Sequence, residues 1–333
     1  MDVPVKVVAY GLGPIGRRIA AAALAKDSLE LVGAVDVAPD LAGRPLNEVV
    51  PGAPPNVIIS SSLTELLSRT RPQVVLHATG SYLDRVYPQF QELVEAGLNV
   101  VSTCEDASYP TNDKVRGLTE QLDRICRAHE VRVLATGINP GFAMDVWPLV
   151  ATAAHTRVDR ISVRRVLDAR SRREPLQRKV GAGLSADEFR QEVAAHRLGH
   201  VGLEASALLL AKGLGRQVVH QSGSIEPVLA EREVVSEYFR VPPGRVVGLS
   251  QDLRCQLSGG VELDLHLDMY LGAEEPVDEV TIEGDYLARV VVPGGFPGDA
   301  ATAAIVANAV LPSLRCAPGY LTMLDLPFFG CTP

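Results

Sequence analysis

The chain has 333 residues, enough for about two domains; 47% are hydrophobic but only 5% aromatic, so its core is aliphatic. Its net charge of −8 argues against nucleic acid as the main partner, because phosphate binding needs concentrated Lys and Arg. Five scattered cysteines with no CxxC pair argue against a disulfide framework or structural zinc and fit a reducing cytoplasm, and no uncharged apolar run is long enough to span a membrane.

Met1-Asp2-Val3-Pro4 carries no signal-peptide pattern and runs straight into a β-rich stretch, Val5 to Tyr10. That stretch ends in Gly11-Leu12-Gly13-Pro14-Ile15-Gly16, an alanine-rich helix follows to about Lys26, and a second apolar run, Leu31 to Val35, ends in Asp36. Strand, glycine turn, helix, strand and acid stand in the order that a dinucleotide site requires. Gly11 allows the tight turn, Gly13 lets backbone approach a pyrophosphate, and Gly16 lets the helix pack on the strand. From Pro14 and Ile15 onward the helix N-terminus offers free N–H groups and its positive dipole end. Asp36 is placed to accept hydrogen bonds from a ribose 2′-OH, which favours NAD; Arg17, Arg18 or Arg44 can neutralise a 2′-phosphate, so NADP stays open.

Beyond Asp36 the segment to Pro55 is loop-like. Asn56 to Ser60 reads as a short strand, and the Ser-x-x-Glu spacing within Ser61 to Glu65 starts a helix to about Ser68. Gln73 to His77 is a buried strand, Tyr82 to Ala96 a helix stopped by Gly97, and Leu98 to Val101 a further strand. A helix from Leu118 to His129 and a strand from Val131 to Ala135 complete the alternation. The expectation is an N-terminal Rossmann fold, a doubly wound parallel sheet, over residues 1–138.

The pattern then changes. Ala143 to Ala154 reads as an apolar helix, and from Arg157 onward long strands with polar–apolar alternation appear, as in Glu262-Leu263-Asp264-Leu265-His266-Leu267. Residues 139–299 are expected to form an α+β domain with a mostly antiparallel sheet, one wet face and the subunit contact of a homodimer. Asp299 is a cap for a final helix, Ala300 to Leu314, and residues 300–333 can return to the first domain.

Ligands of doubly wound sheets sit beyond the carboxyl ends of the strands. Three loops qualify: His77 to Ser81, with Thr79 and Gly80 as cofactor contacts; Ser102 to Asp106; and Thr136 to Phe142. Only the second carries acids. Glu105 there can hold or deprotonate an amine, and Asp106 is the more structural of the two. Asn139 either bonds a nicotinamide carboxamide or shapes the Asn-Pro-Gly turn. Phe142 and Trp147, the one tryptophan, are candidate pocket walls or plain core. His200 and Glu204 either face the substrate or pair with each other. The seven His residues are dispersed, and His196 with His200 across Gly199 makes a poor metal pair, so no metal is expected. The basic cluster from Arg164 to Lys179 reads as a surface or subunit contact, with an anionic ligand as the alternative.

These residues also carry a resemblance. The glycine turn, Val100-Val101-Ser102-Thr103-Cys104-Glu105-Asp106-Ala107-Ser108-Tyr109-Pro110, Gly137-Ile138-Asn139-Pro140-Gly141-Phe142 and Gly199-His200-Val201-Gly202-Leu203-Glu204 together resemble the 2,4-diaminopentanoate dehydrogenase family, in particular its NAD(P)-dependent native amine dehydrogenases. The wider fold resembles dihydrodipicolinate reductase, whose own His-His and K-x-D-x-P-S-G-T signatures are missing. The resemblance implies reductive amination of a small ketone with ammonia, or oxidative deamination of an amine, with Glu105 as the acid–base residue. No arginine is assigned to a substrate carboxylate, which favours simple ketones and amines over a diamino acid.

Overall fold

The structure is a computed structural model that describes residues 3–331. The chain divides into two compact units, Met1–Phe142 with Pro297–Pro333, and Ala143–Phe296.

The first unit alternates strand and helix: β1 (Val5–Tyr10), α1 (Pro14–Leu24), β2 (Leu29–Val35), β3 (Ile59–Ser60), α2 (Leu63–Arg69), β4 (Val74–His77), α3 (Leu83–Glu95), β5 (Asn99–Ser102), α4 (Asp113–Ala128) and β6 (Arg132–Ala135). Val7, Val8, Val74, Val75, Val100, Val101, Val133 and Leu134 are all buried. A parallel sheet covered on both faces demands such continuous runs rather than alternation. Helix α2 starts where the Ser-x-x-Glu spacing places it, whereas α4 starts earlier than expected. Ser62 caps α2 by accepting the Glu65 amide at 3.2 Å, while the Glu65 carboxylate turns to the Ser61 amide (2.7 Å) and hydroxyl (2.8 Å). The reciprocal box is therefore spread over two serines. Helix α4 begins well before Leu118, because Asn112 accepts the Val115 amide at 3.0 Å; its polar first turn, with Asp113, Lys114 and Arg116, hides it from a search for apolar periodicity.

The second unit contains α5 (Val146–Ala151), β7 (Val158–Asp168), α6 (Glu174–Lys179), α7 (Ala186–Ala194), α8 (Leu203–Gly213), β8 (Val218–Leu229), β9 (Val234–Val235), β10 (Arg240–Val241), β11 (Val246–Leu257), β12 (Glu262–Tyr270), β13 (Val277–Gly284) and β14 (Leu287–Pro293). Six strands form one sheet in the order β14-β13-β7-β12-β11-β8, antiparallel except for the parallel pair β7–β12. Along β12, Leu263, Leu265, Leu267 and Met269 are buried, whereas Glu262, Asp264, His266 and Asp268 alternate with them on the other face. There Arg160 pairs with Glu262, and His266 stands between Asp252 (2.8 Å) and Asp268 (3.0 Å), which raise its pKa to about 9. Helix α5 is shorter than the expected Ala143 to Ala154. Asp145 accepts the Val146 amide at 2.6 Å and sets the start, and residues 152–154 tighten into a 3₁₀ turn.

The chain closes in the first unit with α9 (Gly298–Leu314) and β15 (Gly319–Leu321). Asp299 lies inside the first turn of α9, with Pro297 at the cap, so it acts through the helix dipole rather than as the expected cap. Helices α1 and α9 pack together, and Ile19, Ala20, Ala23, Ala303, Val306, Ala307 and Val310 are all buried. The complete parallel sheet runs β15-β6-β5-β4-β1-β2-β3. The chain reverses direction across the sheet between β1 and β4, which is where open α/β sheets bind ligands.

One core interaction of the second unit is ionic. Arg165 and Asp278 face each other across β7 and β13, and each is 1% exposed. Arg165 Nη1 donates to both Asp278 oxygens, at 2.6 and 2.7 Å. Burial acts against both charges; their pairing opposes it, together with the Phe296 amide on the Asp278 carboxylate. Arg165→Met strands the carboxylate and is expected to cost about 3–5 kcal/mol in urea unfolding. Arg165→Met combined with Asp278→Leu is expected to recover most of that loss; an equal loss in the double variant would contradict the assignment.

Candidate functional site

The glycine turn fixes where α1 starts. Gly11 has φ +91°, and a Cβ on it would stand 2.7 Å from the Ala78 carbonyl oxygen; a Cβ on Gly16 would stand 1.8 Å from the Gly11 oxygen. Both positions are closed to any side chain by the protein itself. Gly13 differs, because a Cβ there would meet no protein atom within 4 Å. The space beside it is the cradle that a phosphate group would fill. The first intrahelical bond runs from the Arg17 amide to the Gly13 carbonyl (3.0 Å), so the Ile15 and Gly16 amides precede it at a helix end with Pro14 at its first position and no acid in its first turn. Asp36 accepts the Leu12 amide at 2.6 Å on Oδ2 and the Ala38 amide at 2.9 Å on Oδ1. A carboxylate has about four lone-pair sites, so the same oxygens still have room for ribose hydroxyls. The residues present fit a nicotinamide dinucleotide.

At the carboxyl end of β4 lies a buried polar network. His77 is fully buried, with Nδ1 2.9 Å from Ser102 Oγ and Nε2 2.8 Å from Gln89 Oε1. Thr79 Oγ1 donates to Gln89 Oε1 at 2.6 Å and lies 2.9 Å from His77 Nε2. Burial pushes the His77 pKa down to about 4, so the ring is neutral near pH 7. Thr79 and Gly80 follow on an exposed turn, and Gly11 touches this same turn.

Glu105 opens a 3₁₀ turn after β5. It is half-buried, and the Ser81 hydroxyl donates to its Oε1 at 3.4 Å. Its backbone carbonyl accepts the Ser108 hydroxyl at 2.7 Å, which closes the turn. Asp106 serves the scaffold: its carboxylate accepts the Leu83 amide at the start of α3 (3.2 Å), and its amide donates to the Ser81 carbonyl (3.0 Å). Cys104 is buried, and its thiol is pushed up to about 12, so it is no nucleophile. After β6, the Thr136 amide donates to the Ser102 carbonyl at 2.8 Å, and the Ile138 amide to Thr302 of α9 at 3.3 Å. Asn139 leads into a cis peptide with Pro140, and Gly141 takes φ +125°. Gly11, Gly13, Asp36, Thr79, Gly80, Glu105, Asn139 and Phe142 thus lie in first-unit segments that follow the carboxyl ends of strands, and Pro14, Ile15 and Gly16 in the first turn of α1.

Trp147 and His200 belong to the second unit. Trp147 meets Phe296 edge-on, with ring centroids 5.4 Å apart. The Phe296 amide is held by Asp278 Oδ2 at 2.7 Å, which ties this aromatic pair to the buried ion pair. The side-chain amide of Gln251 clamps the backbone of His200: its Oε1 accepts the His200 amide (3.0 Å), and its Nε2 donates to the carbonyl (3.3 Å). His200 Nδ1 is buried without a hydrogen-bond partner. Burial first, then the charges of Lys179 and Arg165, bring its pKa down to about 3, so the ring is neutral. Glu204 accepts from Gln221 at 3.0 Å. Among the described residues no group of three His, Cys, Asp or Glu side chains gathers as a metal site, and no helix is long and apolar enough to cross a membrane.

Sequence reasoning did not single out Gln89, Gln251, Phe296 or Thr302. Gln89 lies inside an amphipathic helix and Gln251 inside a strand, with no local signal of what they reach. Ser102 was within a flagged loop, and its position directly after an apolar run was the available clue.

Residues 142–332 match the 2,4-diaminopentanoate dehydrogenase C-terminal domain family. The chain is 28% identical over 336 aligned positions to a 2,4-diaminopentanoate dehydrogenase of Acetoanaerobium sticklandii, covering 97% of this chain and 93% of that one. Its fold is that of an amine dehydrogenase from Mycobacterium smegmatis, with TM-score 0.88 and 22% identity over 99% of this chain and 98% of the other. A myo-inositol 2-dehydrogenase from Lactobacillus plantarum shares the fold at TM-score 0.61 and 13% identity, over 97% and 93% of the two chains.

The glycines separate scaffold from site. Gly16→Ala is expected to lose about 1–3 kcal/mol of stability through overpacking. Gly13→Ala is expected to keep stability within about 0.5 kcal/mol, since its backbone suits any residue, yet to weaken NADH binding roughly tenfold or more. Thermal unfolding and NADH fluorescence titration check both, and unchanged NADH affinity in Gly13→Ala would contradict the cradle.

Proposed function

The chain belongs to the 2,4-diaminopentanoate dehydrogenase family through its C-terminal domain, and on that premise we propose that it is an NAD(P)-dependent amine dehydrogenase. It interconverts small ketones plus ammonia with primary amines. One observation carries this reading: the Glu105 carboxylate accepts from Ser81 on the turn that follows Thr79 and Gly80, and that turn touches the glycine turn at Gly11. We assign the first unit to the dinucleotide and the second to substrate and to the self-contact of a homodimer.

The Gly13 cradle and the Ile15 and Gly16 amides hold the pyrophosphate, and Asp36 takes the ribose hydroxyls. Asn139 is assigned to the carboxamide. When bound, the nicotinamide supplies or accepts the hydride. Glu105, as carboxylate, takes a proton from the nitrogen as ammonia adds to the carbonyl carbon, returns it to the hydroxyl that departs as water, and, again a carboxylate, pairs with the iminium nitrogen. The charge stands opposite the positive centre, where it lowers the barrier to hydride addition. Ser81 orients that carboxylate. Phe142, Trp147 and His200 are assigned to substrate: two aromatic surfaces and one neutral ring that keeps an unprotonated nitrogen near pH 7.

A second reading, oxidation of a 2,4-diamino acid, is favoured by one further observation. Lys179, a cation outside the Arg165–Asp278 pair, acts on the buried His200 ring from nearby, a field that suits a carboxylate.

The test follows NADH and NADPH oxidation with a panel of small ketones plus ammonium, beside Glu105→Ala. Ammonium-dependent turnover that falls roughly 100-fold or more in the variant is expected, the scale of a lost general acid–base group. Turnover without ammonium, or full activity in Glu105→Ala, would overturn it. Silence with ketones but reduction of NAD(P)⁺ by a 2,4-diamino acid would select the second reading.

A further inference from the structure

The strand that supplies His77 is otherwise aliphatic: Val74, Val75 and Leu76 fill the sheet core. An aromatic or aliphatic residue at position 77 would bury as much surface without desolvating two nitrogens. The chain instead places an imidazole there and uses both nitrogens on groups that flank the site. Nδ1 accepts from the Ser102 hydroxyl (2.9 Å), and the Ser102 oxygen in turn accepts the Cys104 amide (3.0 Å), one residue before Glu105. Nε2–H donates to Gln89 Oε1 (2.8 Å), the same oxygen that Thr79 Oγ1 bonds (2.6 Å). The His77 carbonyl accepts the Thr103 amide at 3.0 Å. The ring stacks on Tyr10, the last residue before Gly11, at 5.6 Å, and meets Phe90 edge-on at 4.8 Å. Three loops of the site thus converge on one side chain.

We infer that His77 is a positioning residue that holds the Thr79–Gly80 turn and the Glu105 turn in one geometry, so that cofactor and carboxylate are presented together. This rests on the reading of Glu105 given above. A neutral imidazole has one donor and one acceptor, which is the pair this network uses; burial keeps it neutral, with its pKa lowered to about 4. A phenyl ring at position 77 keeps the contacts with Tyr10 and Phe90 but leaves Ser102 and Gln89 without their nitrogen partners.

The experiment measures kcat, cofactor KM and NADH affinity for His77→Phe and Gln89→Leu, each alone and with Glu105→Gln. In the wild-type background kcat is expected to fall about 10- to 100-fold, the scale of a small misplacement of a reacting group, while far-UV circular dichroism stays unchanged. In the Glu105→Gln background the same substitution is expected to cost less than about threefold further, because the group it positions is already lost. Losses that multiply in full, or wild-type kcat in a folded His77→Phe, would overturn the inference. If His77→Phe fails to fold, Gln89→Leu, at a half-buried site on α3, carries the same test. If Glu105→Gln alone keeps wild-type kcat, the reading of Glu105 fails instead. The inference then stands on NADH affinity: about fivefold weakening in His77→Phe supports it through the Thr79 arm, and equal affinity overturns it.

Discussion

A side chain at position 16 would stand 1.8 Å from the carbonyl oxygen of Gly11. That approach is what allows α1 to begin directly above the end of β1, with its first amides at the point where the sheet order reverses. Two further constraints follow. The Gly11 backbone lies against Ala78 and Thr79, so the turn after β4 is fixed relative to the turn after β1. His77 then fixes the turn after β4 relative to that after β5. The site is built outward from one backbone contact, through glycine where space is lacking and through hydrogen bonds where side chains fit.

Each unit holds a connected polar group inside its core. In the first, the Ser102 hydroxyl, the His77 ring and the Gln89 side-chain oxygen form a hydrogen-bonded chain. In the second, Arg165 and Asp278 neutralise each other and hold the backbone of Phe296, the ring partner of Trp147. Buried ionic and polar groups are poor sources of net stability, but their removal one at a time is costly, so they favour one arrangement over its neighbours. Here the arrangements favoured are those of Glu105 and of the Trp147 aromatic pair.

Much of this was legible in the sequence because its causes are local. The glycine spacing, the acid after β2, and the apolar runs of β4 to β6 each report their environment directly, as does the alternation along β12. The family resemblance rested on blocks such as Cys104-Glu105 and Gly137-Ile138-Asn139-Pro140-Gly141-Phe142, whose loops proved to lie at the sheet's carboxyl edge. Other features were not legible because their causes are distant. Gln89 reaches His77 from the middle of a helix, Gln251 clamps His200 across 51 residues of sequence, and β15 joins the sheet beside β6 with only three residues. Helix α4 escaped a hydrophobic reading because its first turn is held by Asn112 and faces solvent with charge. Arg165 looked like part of a surface cluster, and only its register opposite Asp278 on β13 shows why it is core.

The central claim is that the carbon receiving hydride is bonded to a nitrogen that came from ammonia, with Glu105 facing it. It is tested most directly by supplying NADH deuterated at the reactive C4 position together with ¹⁵N-ammonium and a turned-over ketone, and recording the product by mass spectrometry. The account predicts a primary amine that carries both deuterium on its α-carbon and ¹⁵N. A deuterated alcohol without ¹⁵N would make the enzyme a ketone reductase and contradict it.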